Sequence, residues 1–333
     1  MPEISVIIPA YNVEKYIGKI IGDLENQTFK DFELIIVDDC SKDNTLEVIR
    51  ESTKNSSMNL QIIESYKNGG EGKARNIGLS KAKGKYVYFI DADDRIESNC
   101  LYELDKIIKE KNADIAICNY NLVDENLKVV LNSYSLNLKS DLTLESTSFI
   151  KSVIKGYYTI YPGSVLYKKK IIDDYGIRFT EGVKFSEDRE FLIKAIFHSN
   201  RVALSKKVLF HYVQRASSVT RVKANLQVFH SVGTFYRLGK YLKSQNAPKD
   251  ILNCIYEVRI PENIVDALRK LMLSNYPKDK LKMILKNKRI REALKRYKFS
   301  LKSKKDLKRS VKIYLFRLSP SFFYFILKLR KIR

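Results

Sequence analysis

Short apolar runs alternate with amphipathic segments through the first 120 residues of this 333-residue chain, and this alternation limits the fold more than any other feature. The runs ISVIIP, FELIIV and YVYFI are rich in β-branched or aromatic residues and are typical of buried strands. Between the first two runs, Ile17, Ile20, Ile21 and Leu24 recur at helical spacing. Strands and helices that alternate in units of about 30 residues form parallel sheets with right-handed crossovers. We therefore predict an α/β fold with a Rossmann-like, mostly parallel sheet.

A change of pattern after Tyr120 divides the chain. Beyond it we expect an irregular or hairpin segment followed by two helices and two strands, at residues 121–143, 145–155, 163–167, 187–198 and 208–213. From about residue 225 the apolar residues keep helical spacing. We therefore predict a first domain of residues 1–220 and a basic, helical C-terminal region of residues 221–333.

The positive charge is concentrated near the C-terminus. Of the formal net charge of +23, +18 comes from residues 280–333, which hold 20 lysines and arginines against Glu292 and Asp306. The stretch SFFYFILKLRKIR mixes these cations with large apolar side chains. Basic amphipathic helices of this kind lie on anionic membranes. The alternative is a helical core or a homo-oligomer interface with a solvated basic face. Nucleic-acid binding is not expected, because no known nucleic-acid module accompanies the charge.

Several sequence features predict a protein of the cytoplasm. The first residues, MPEISVIIPAYN, lack the basic start and long apolar core of a signal peptide. The sequence has no run of about 18 uncharged apolar residues, so no membrane-spanning helix is expected. The four cysteines show no CxxC spacing, as expected for reduced thiols. With three histidines in the chain, any metal must rely mainly on carboxylates.

Three acidic clusters follow predicted strands or open a predicted helix. Asp38 and Asp39 follow FELIIV, the segment DADD follows YVYFI, and Glu187 and Asp188 precede REFLIKAIF. Open α/β sheets bind ligands at the carboxyl ends of their strands. Taken singly, each cluster can also be explained by turn chemistry or helix capping, which favour the same residues. In so basic a chain, their combined placement indicates binding of a metal, a nucleotide or a proton.

The DADD segment and the glycine-rich segment NGGEGKARN suit a phosphorylated ligand. Mg²⁺ and Mn²⁺ favour carboxylate oxygens and bridge readily to diphosphates. Asp91 and Asp93 can therefore divide the work, one bonding a ribose hydroxyl and the other ligating the metal. The glycines open a predicted helix, whose backbone N–H groups can approach an anion. This segment matches neither a Walker loop nor a GxGxxG motif.

Five segments, in order along the chain, resemble the motifs of family 2 glycosyltransferases: IPAYN, QTFKDFELIIVDDCSKDNT, NGGEGKARNIGL, GKYVYFIDADD and FSEDREFL. The resemblance covers roughly residues 1–220. It implies the GT-A nucleotide-diphospho-sugar transferase fold, here with an α-helical C-terminal extension. One departure is Cys40, where the family usually has glycine; a residue this small should be tolerated in the turn.

The resemblance also implies roles for individual residues. Nucleotide-sugar binding is expected of Pro9, Ala10, Tyr11, Asn12, Asp39, Arg75, Asp91 and Asp93. Asp93 is expected to ligate the Mn²⁺ or Mg²⁺ ion, with Asp94 as a further contributor. Asp188 is expected to be the catalytic base, beside Glu187. A segment folding over the diphosphate is expected to contribute His211, Arg215 and Ser218.

The function implied is the inverting, metal-dependent transfer of a hexosyl or N-acetylhexosaminyl group. The donor is a UDP-sugar, and the acceptor is a hydroxyl of a glycan or lipid-linked molecule in bacterial surface polysaccharide synthesis. Lipid-linked acceptors place such an enzyme peripherally on the cytoplasmic face of the membrane.

Two other functions stay open. A nucleotidyltransferase also uses paired carboxylates on a similar sheet, although it usually begins with a glycine-rich loop that IPAYN lacks. A non-catalytic, basic membrane-binding scaffold is the other alternative. The presence of Asp91, Asp93 and Asp188 argues against it.

Overall fold

The structure is a computed structural model, and it describes residues 1–131, 136, 138–215, 225–274 and 276–331. The chain divides into two compact units. The first consists of Met1–Ile150, Tyr158–Val183 and Glu187–Ser218, and the second of Lys151–Tyr157, Lys184–Ser186 and Val219–Arg333. The second unit thus includes two short segments that the predicted boundary between residues 220 and 221 assigns to the first domain.

Strands and helices alternate through the first half of the chain. The strands are β1 (Ile4–Ala10), β2 (Phe32–Asp38), β3 (Asn59–Glu64), β4 (Tyr86–Phe89), β5 (Arg95–Ile96), β6 (Ile115–Val123), β7 (Val129–Leu131), β8 (Leu142–Glu145), β9 (Val165–Lys168) and β10 (Arg201–Val213). The helices are α1 (Ile17–Glu25), α2 (Thr45–Thr53), α3 (Glu71–Lys81), α4 (Cys100–Glu110), α5 (Ser146–Ile154), α6 (Lys169–Asp174) and α7 (Glu187–His198).

The strands of the described residues form one sheet in the order β3-β2-β1-β4-β9-β6-β10-β5, with β7 paired to β6 and β8 to β10. Strands β3, β2, β1 and β4 pair in parallel, as do β6 and β10. Strand β9 lies antiparallel between β4 and β6, so that β6 and β10 run in the same direction as β1. The predicted α/β class and mostly parallel central sheet are confirmed.

Strands β1 and β2 are buried at every residue, as expected for parallel strands covered on both faces. Helix α3 packs closely on β1 through Gly78. A Cβ atom at this position would lie 2.5 Å from Ile7 Cγ2, so only glycine permits this approach. The close packing fixes the height of α3 above the sheet, and with it the position of Arg75 on the same helix.

The elements after Tyr120 depart most from the sequence prediction. The strand expected at residues 208–213 begins earlier, at Arg201, and the one expected at 163–167 is β9. Strand β5 and helix α6 were not predicted. They have two and six residues respectively, which is too short for the spacing of apolar residues to distinguish a strand from a helix.

The described residues of the second unit are mainly helical, as predicted for the C-terminal region. Its helices include α8 (His230–Ser244), α9 (Lys249–Asn253), α10 (Ile260–Met272), α11 (Lys278–Lys286), α12 (Lys288–Lys295), α13 (Lys304–Leu318) and α14 (Pro320–Lys331). A π-helical stretch, Cys254–Arg259, joins α9 to α10. Within the ranges described, no helix has the length and apolar character needed to cross a bilayer.

A buried ion network holds α13 against α10. Arg309 is 2% exposed; it lies 2.8 Å from Asp306 and 3.0 Å from Glu262. Burial raises the pKa of Glu262, but Arg259, Arg309 and Lys312 outweigh this effect and keep the pKa below its usual range. The side of α13 that carries Arg309 is therefore buried against α10 within this unit.

Candidate active site

The carboxyl ends of the central parallel strands lie at one edge of the sheet. Strands β1 and β2 pair in register up to Ala10 and Asp38. The N–H of Asp39 then donates to the carbonyl of Ala10 at 2.8 Å, and the N–H of Ile90 donates to that of Ile7 at 3.1 Å. The segments that leave these strand ends therefore start beside one another, at residues 9–12, 38–40 and 91–94.

Asp39 ties the end of β2 to the glycine-rich segment before α3. Its side chain is buried, and its oxygens accept hydrogen bonds from the N–H groups of Gly69, at 2.9 and 3.0 Å, and of Gly70, at 2.7 Å. Gly70 has a φ of +83°, a conformation that glycine adopts without strain. The Asp39 carboxylate thus fixes the backbone that leads into α3. Its oxygens retain lone pairs that can accept a further hydrogen bond from a ligand.

Residues 9–12 lie against the turn that follows β2. Pro9 and Ala10 form the buried end of β1, and Tyr11 is 43% exposed. Asn12 accepts a hydrogen bond from the N–H of Lys42 at 2.8 Å through its side chain. Its own N–H donates to Ser41 Oγ at 3.0 Å. These bonds hold the two loops together beside an exposed aromatic ring.

The departure at Cys40 has a structural consequence. Cys40 has a φ of +63°, the left-handed conformation in which a non-glycine residue is strained by roughly 1–2 kcal/mol. The turn therefore keeps the backbone geometry that glycine would take freely, and the cysteine is accommodated at a local energetic cost.

Arg75 joins the end of β4 to the start of α7. Its side chain is 1% exposed, and its guanidinium lies 2.6 Å from Asp91 and 3.3 Å from Glu187. Glu71, one turn earlier on α3, is 3.5 Å away. Burial and the neighbouring Asp188 raise the pKa of Glu187 to about 7, against the lowering effect of Arg75. The guanidinium thus offsets part of a concentrated negative charge.

Asp93 forms an ion pair with Arg215. The Arg215 guanidinium also lies over the Tyr16 ring, 4.7 Å from its centroid, which fixes its position from a second side. Burial and the adjacent Asp91 raise the pKa of Asp93 to about 6, while Arg215 opposes this rise. A cationic side chain therefore lies beside the carboxylate that the sequence predicts to bind a metal.

Asp94 fastens the loop after β4 to the end of β10. It is 2% exposed and accepts a hydrogen bond from the N–H of Val213 at 3.0 Å. Burial, together with Asp93 and Asp91, raises its pKa well above the usual range. Asp94 thus lies beneath the loop, and Asp91 and Asp93 are the partly exposed carboxylates of this segment.

Asp188 lies in the first turn of α7 and faces a small cavity with mainly apolar walls. The lining residues are Phe89, Ile160, Tyr161, Pro162, Val165, Tyr167, Phe179 and Leu192. Within the described ranges, no side chain or backbone group forms a hydrogen bond or ion pair with the Asp188 carboxylate. Acids in a first turn also complement the helix dipole. A partly exposed carboxylate without a donor is nevertheless well placed to accept a proton.

The donor set at this edge fits a divalent cation that shares its ligands with a phosphorylated substrate. Among the described residues, no group of three or more His, Cys, Asp or Glu side chains has the arrangement of a metal site. Mg²⁺ is typically held by one or two carboxylates and completes its shell with phosphate oxygens and water. Asp93 and Asp91 meet that requirement. Burial and the adjacent Asp91 raise the pKa of Asp93, and a bound cation would favour its ionised form.

The three residues predicted to cover the diphosphate have different surroundings. Arg215 lies at the site, whereas His211 Nε2 lies 2.7 Å from Glu97 Oε1, opposite β5. Ser218 lies outside the described residues. The sequence interpretation missed Tyr16 as the ring beneath Arg215, since nothing in the helical spacing of α1 distinguishes it. It also missed Glu71, although its spacing of four residues from Arg75 favours such a pair on a helix.

The family model for glycosyl transferase family 2 matches residues 5–176, and the chain belongs to this family. The chain is 31% identical over 217 residues to poly(ribitol-phosphate) beta-N-acetylglucosaminyltransferase TarS of Staphylococcus aureus strain Mu50, a match covering 65% of the chain and 36% of TarS. It is also 31% identical over 220 residues to poly(ribitol-phosphate) beta-N-acetylglucosaminyltransferase TarP of S. aureus strain N315. This match covers 64% of the chain and 63% of TarP. The chain thus spans about a third of TarS and under two thirds of TarP.

The fold is shared with the crystal structure of S. aureus TarS 1-349 in complex with UDP-GlcNAc. The TM-score is 0.64 at 24% identity, over 89% of this chain and 79% of that one. At this identity the likeness establishes the fold, and the predicted GT-A fold with a helical C-terminal region is confirmed.

Proposed function

We propose that this protein is an inverting glycosyltransferase that moves a sugar from a UDP-sugar to a hydroxyl of a bacterial surface glycan or of its lipid-linked precursor. One observation carries the proposal. Arg75 bonds both Asp91, at the end of β4, and Glu187, next to Asp188, so the carboxylates expected to serve the donor and the acceptor are linked by one buried side chain.

The nucleoside would bind at the ends of β1 and β2. The ends of β1 and β2 lie side by side in the sheet, which brings Asp39 next to residues 9–12. Asp39 can accept the imide hydrogen of uracil. Tyr11 is exposed enough to contact a base. The relative TarS has been crystallised with UDP-GlcNAc and with UDP, which supports a uridine nucleotide for this chain too. The transferred group would be a hexosyl or an N-acetylhexosaminyl group.

Asp93 would hold the divalent cation, together with oxygens of the diphosphate, and Asp91 would bond the ribose or assist at the metal. When bound, Mn²⁺ or Mg²⁺ supplies Lewis-acid stabilisation of the charge that develops on departing UDP. Arg75 keeps Asp91 in place through its 2.6 Å ion pair. Because Arg215 pairs with Asp93 in the free protein, the cation must compete with a guanidinium for this carboxylate.

Asp188 would act as the general base. The acceptor oxygen forms a bond to the anomeric carbon while the bond from that carbon to the β-phosphate oxygen breaks. The electron pair leaves with UDP, and the hydroxyl proton passes to Asp188. A single displacement inverts the anomeric configuration, and no carboxylate needs to form a covalent intermediate. The cavity beside Asp188, of about 10 Å³, has room for a reacting hydroxyl group and not for the whole acceptor.

The acceptor class rests on the relatives. TarS and TarP are named for transfer of N-acetylglucosamine to poly(ribitol-phosphate). We propose that the acceptor belongs to the same broad class, a surface glycan or polymer with free hydroxyls. We also propose that the protein acts at the cytoplasmic face of the membrane, where lipid-linked precursors are available.

A donor screen followed by a base variant tests the proposal. UDP-glucose, UDP-galactose and their N-acetyl forms are screened with Mn²⁺ for thermal stabilisation, and the best donor is assayed for UDP release. Release of UDP without pyrophosphate would separate a glycosyltransferase from a nucleotidyltransferase. Asp188→Asn should lower turnover about 10²- to 10⁴-fold while UDP binding is retained.

The matched control for Asp188→Asn is Asp174→Asn, because Asp174 is 47% exposed in a surface ion pair on α6. It should leave turnover unchanged. Full turnover by Asp188→Asn would refute its role as base. Failure of every UDP-sugar to bind would refute the proposed donor class.

A further inference from the structure

The last two helices leave apolar side chains uncovered. On α13, Leu307, Val311 and Leu318 are 42%, 44% and 81% exposed. On α14, Phe322, Phe325 and Leu329 are 53%, 56% and 51% exposed. In each helix the spacing of three, four or seven residues places these side chains on one stripe. We call these six residues the apolar stripe.

The apolar stripe is not a part of the core that happens to be partly exposed. The opposite sides of both helices are already packed, because Phe316 and Phe323 meet edge to face with ring centroids 5.4 Å apart. Ile313 is fully buried on the same side of α13 as Arg309. The apolar stripe therefore stays 42–81% exposed, and five of its members are leucine or phenylalanine, large enough to anchor a surface: Leu307, Leu318, Phe322, Phe325 and Leu329.

Cations flank the stripe. Lys304 and Lys308 are exposed on α13, one turn apart, and form no ion pair with any described residue. Lys328 is exposed on α14, with its ammonium 5.1 Å from the centroid of the Tyr324 ring. The surrounding residues 280–333 carry a net charge of +18. The occupant of this face must therefore be both apolar and anionic.

We propose that the apolar stripe docks on an anionic lipid bilayer, with its leucine and phenylalanine side chains in the acyl boundary and the lysines at the headgroups. This combination is the one by which interfacial helices bind membranes. A second copy would bring the same strongly positive surface against itself, which charge repulsion opposes. A soluble polyanion would satisfy the lysines but would leave the phenylalanines in water. The proposal does not depend on the proposed transferase activity.

The chain has no tryptophan, which permits a direct test of insertion. Phe325→Trp places a single fluorophore on the apolar stripe, and Tyr66→Trp places one at a fully exposed position of the first unit. Each variant is mixed with vesicles of phosphatidylcholine alone or with about 30% phosphatidylglycerol. We expect a blue shift for Phe325→Trp with the anionic vesicles alone, together with quenching by brominated acyl chains and reversal by high salt. Tyr66→Trp should not shift.

Vesicle sedimentation gives the second measurement. The double variant Phe322→Ser/Phe325→Ser should lower the partition coefficient on anionic vesicles by at least about tenfold, because two apolar anchors are lost. Met283→Ser, which removes a 73% exposed side chain outside the stripe, is the matched control and should bind as the parent does. Unaltered circular dichroism and thermal unfolding would show that the variants are folded.

Three results would overturn the proposal. The first is no blue shift of Phe325→Trp with anionic vesicles. The second is an equal shift with neutral vesicles, since the lysines would then have no role. The third is a shift without vesicles that grows with protein concentration, which would assign the apolar stripe to self-association. The tryptophan variants retain an aromatic ring, so the test stands even if the serine variant fails to fold.

Discussion

The Arg75 guanidinium lies 2.6 Å from Asp91 and 3.3 Å from Glu187, while its own side chain is 1% exposed. Asp91 follows a strand of the central sheet, and Glu187 opens a helix more than ninety residues later in the chain. A single buried cation therefore aligns the loop expected to hold the donor with the turn that carries Asp188.

Removing that cation should destabilise the protein strongly. Arg75→Met leaves the buried Glu187 and the partly exposed Asp91 without their partner, and we expect a loss of about 3–5 kcal/mol in the free energy of unfolding, measured by urea denaturation. The matched control is Arg50→Met, which breaks a surface pair between side chains that are 61% and 51% exposed and should cost less than about 1 kcal/mol. Equal losses for the two variants would contradict the role assigned to Arg75.

The stability of the ligand-free protein should fall as pH rises from about 4.5 to 7. In the folded state the pKa of Glu187 is raised to about 7 and that of Asp93 to about 6. The folded protein therefore holds these protons more tightly than the unfolded chain, and their stabilising effect is lost as each is released. The free energy of unfolding at pH 5.5, 6.5 and 7.5 measures this slope, which amounts to about 1.4 kcal/mol per pH unit for each proton.

Glu187→Gln should flatten the upper part of that profile, because glutamine keeps the shape of the side chain and does not titrate. A profile with the same slope in this variant would show that the protons are released elsewhere.

Arg215→Ala should strengthen binding of free Mn²⁺. At pH 8 Asp93 is ionised, so the variant removes both a competing cation and its repulsion of the metal; we expect a gain of about tenfold by calorimetry. Arg178→Ala, at an exposed arginine of the first unit, should leave the affinity unchanged. Adding Asp93→Asn should abolish the gain. Weaker binding by Arg215→Ala would show that the guanidinium assists the metal instead of competing with it.

Gly78→Ala should destabilise the fold by about 1–3 kcal/mol, because the new Cβ would lie 2.5 Å from Ile7 Cγ2 and would push α3 off β1. Gly22→Ala on α1 provides the contrast. A Cβ there meets no atom within 4 Å, and alanine in a helix is favoured over glycine by roughly 0.5–1 kcal/mol. Thermal or urea unfolding should therefore move in opposite directions for the two variants, and a shared direction would contradict the packing argument.

The strands that carry the candidate site were predictable because their cause is local. Runs such as FELIIV are apolar at every position except Glu33, which suits a strand buried on both faces, and the structure has them at β1, β2 and β4. The carboxyl ends of parallel strands necessarily share an edge, so the proximity of Asp39 and Asp91 could also be inferred. The residue roles assigned from the family motifs stay predictions.

The features that could not be predicted depend on contacts between distant segments. Strand β9 lies antiparallel between β4 and β6. No local sequence pattern predicts which strands it pairs with. Asp94 has the same chemistry as Asp91 and Asp93, and it is distinguished only by its bond to Val213, more than a hundred residues away. The pairing of Arg215 with Asp93 and Tyr16 likewise arises only once β10 and α1 are in place.

The link made by Arg75 couples Asp91 to Glu187, so a change at either carboxylate affects the other. A shift of α7 would pull on Asp91 through the same guanidinium. We therefore expect changes that reshape this site without disturbing Arg75 to fall on neutral side chains of the adjoining cavity wall, such as Ile160 and Tyr161.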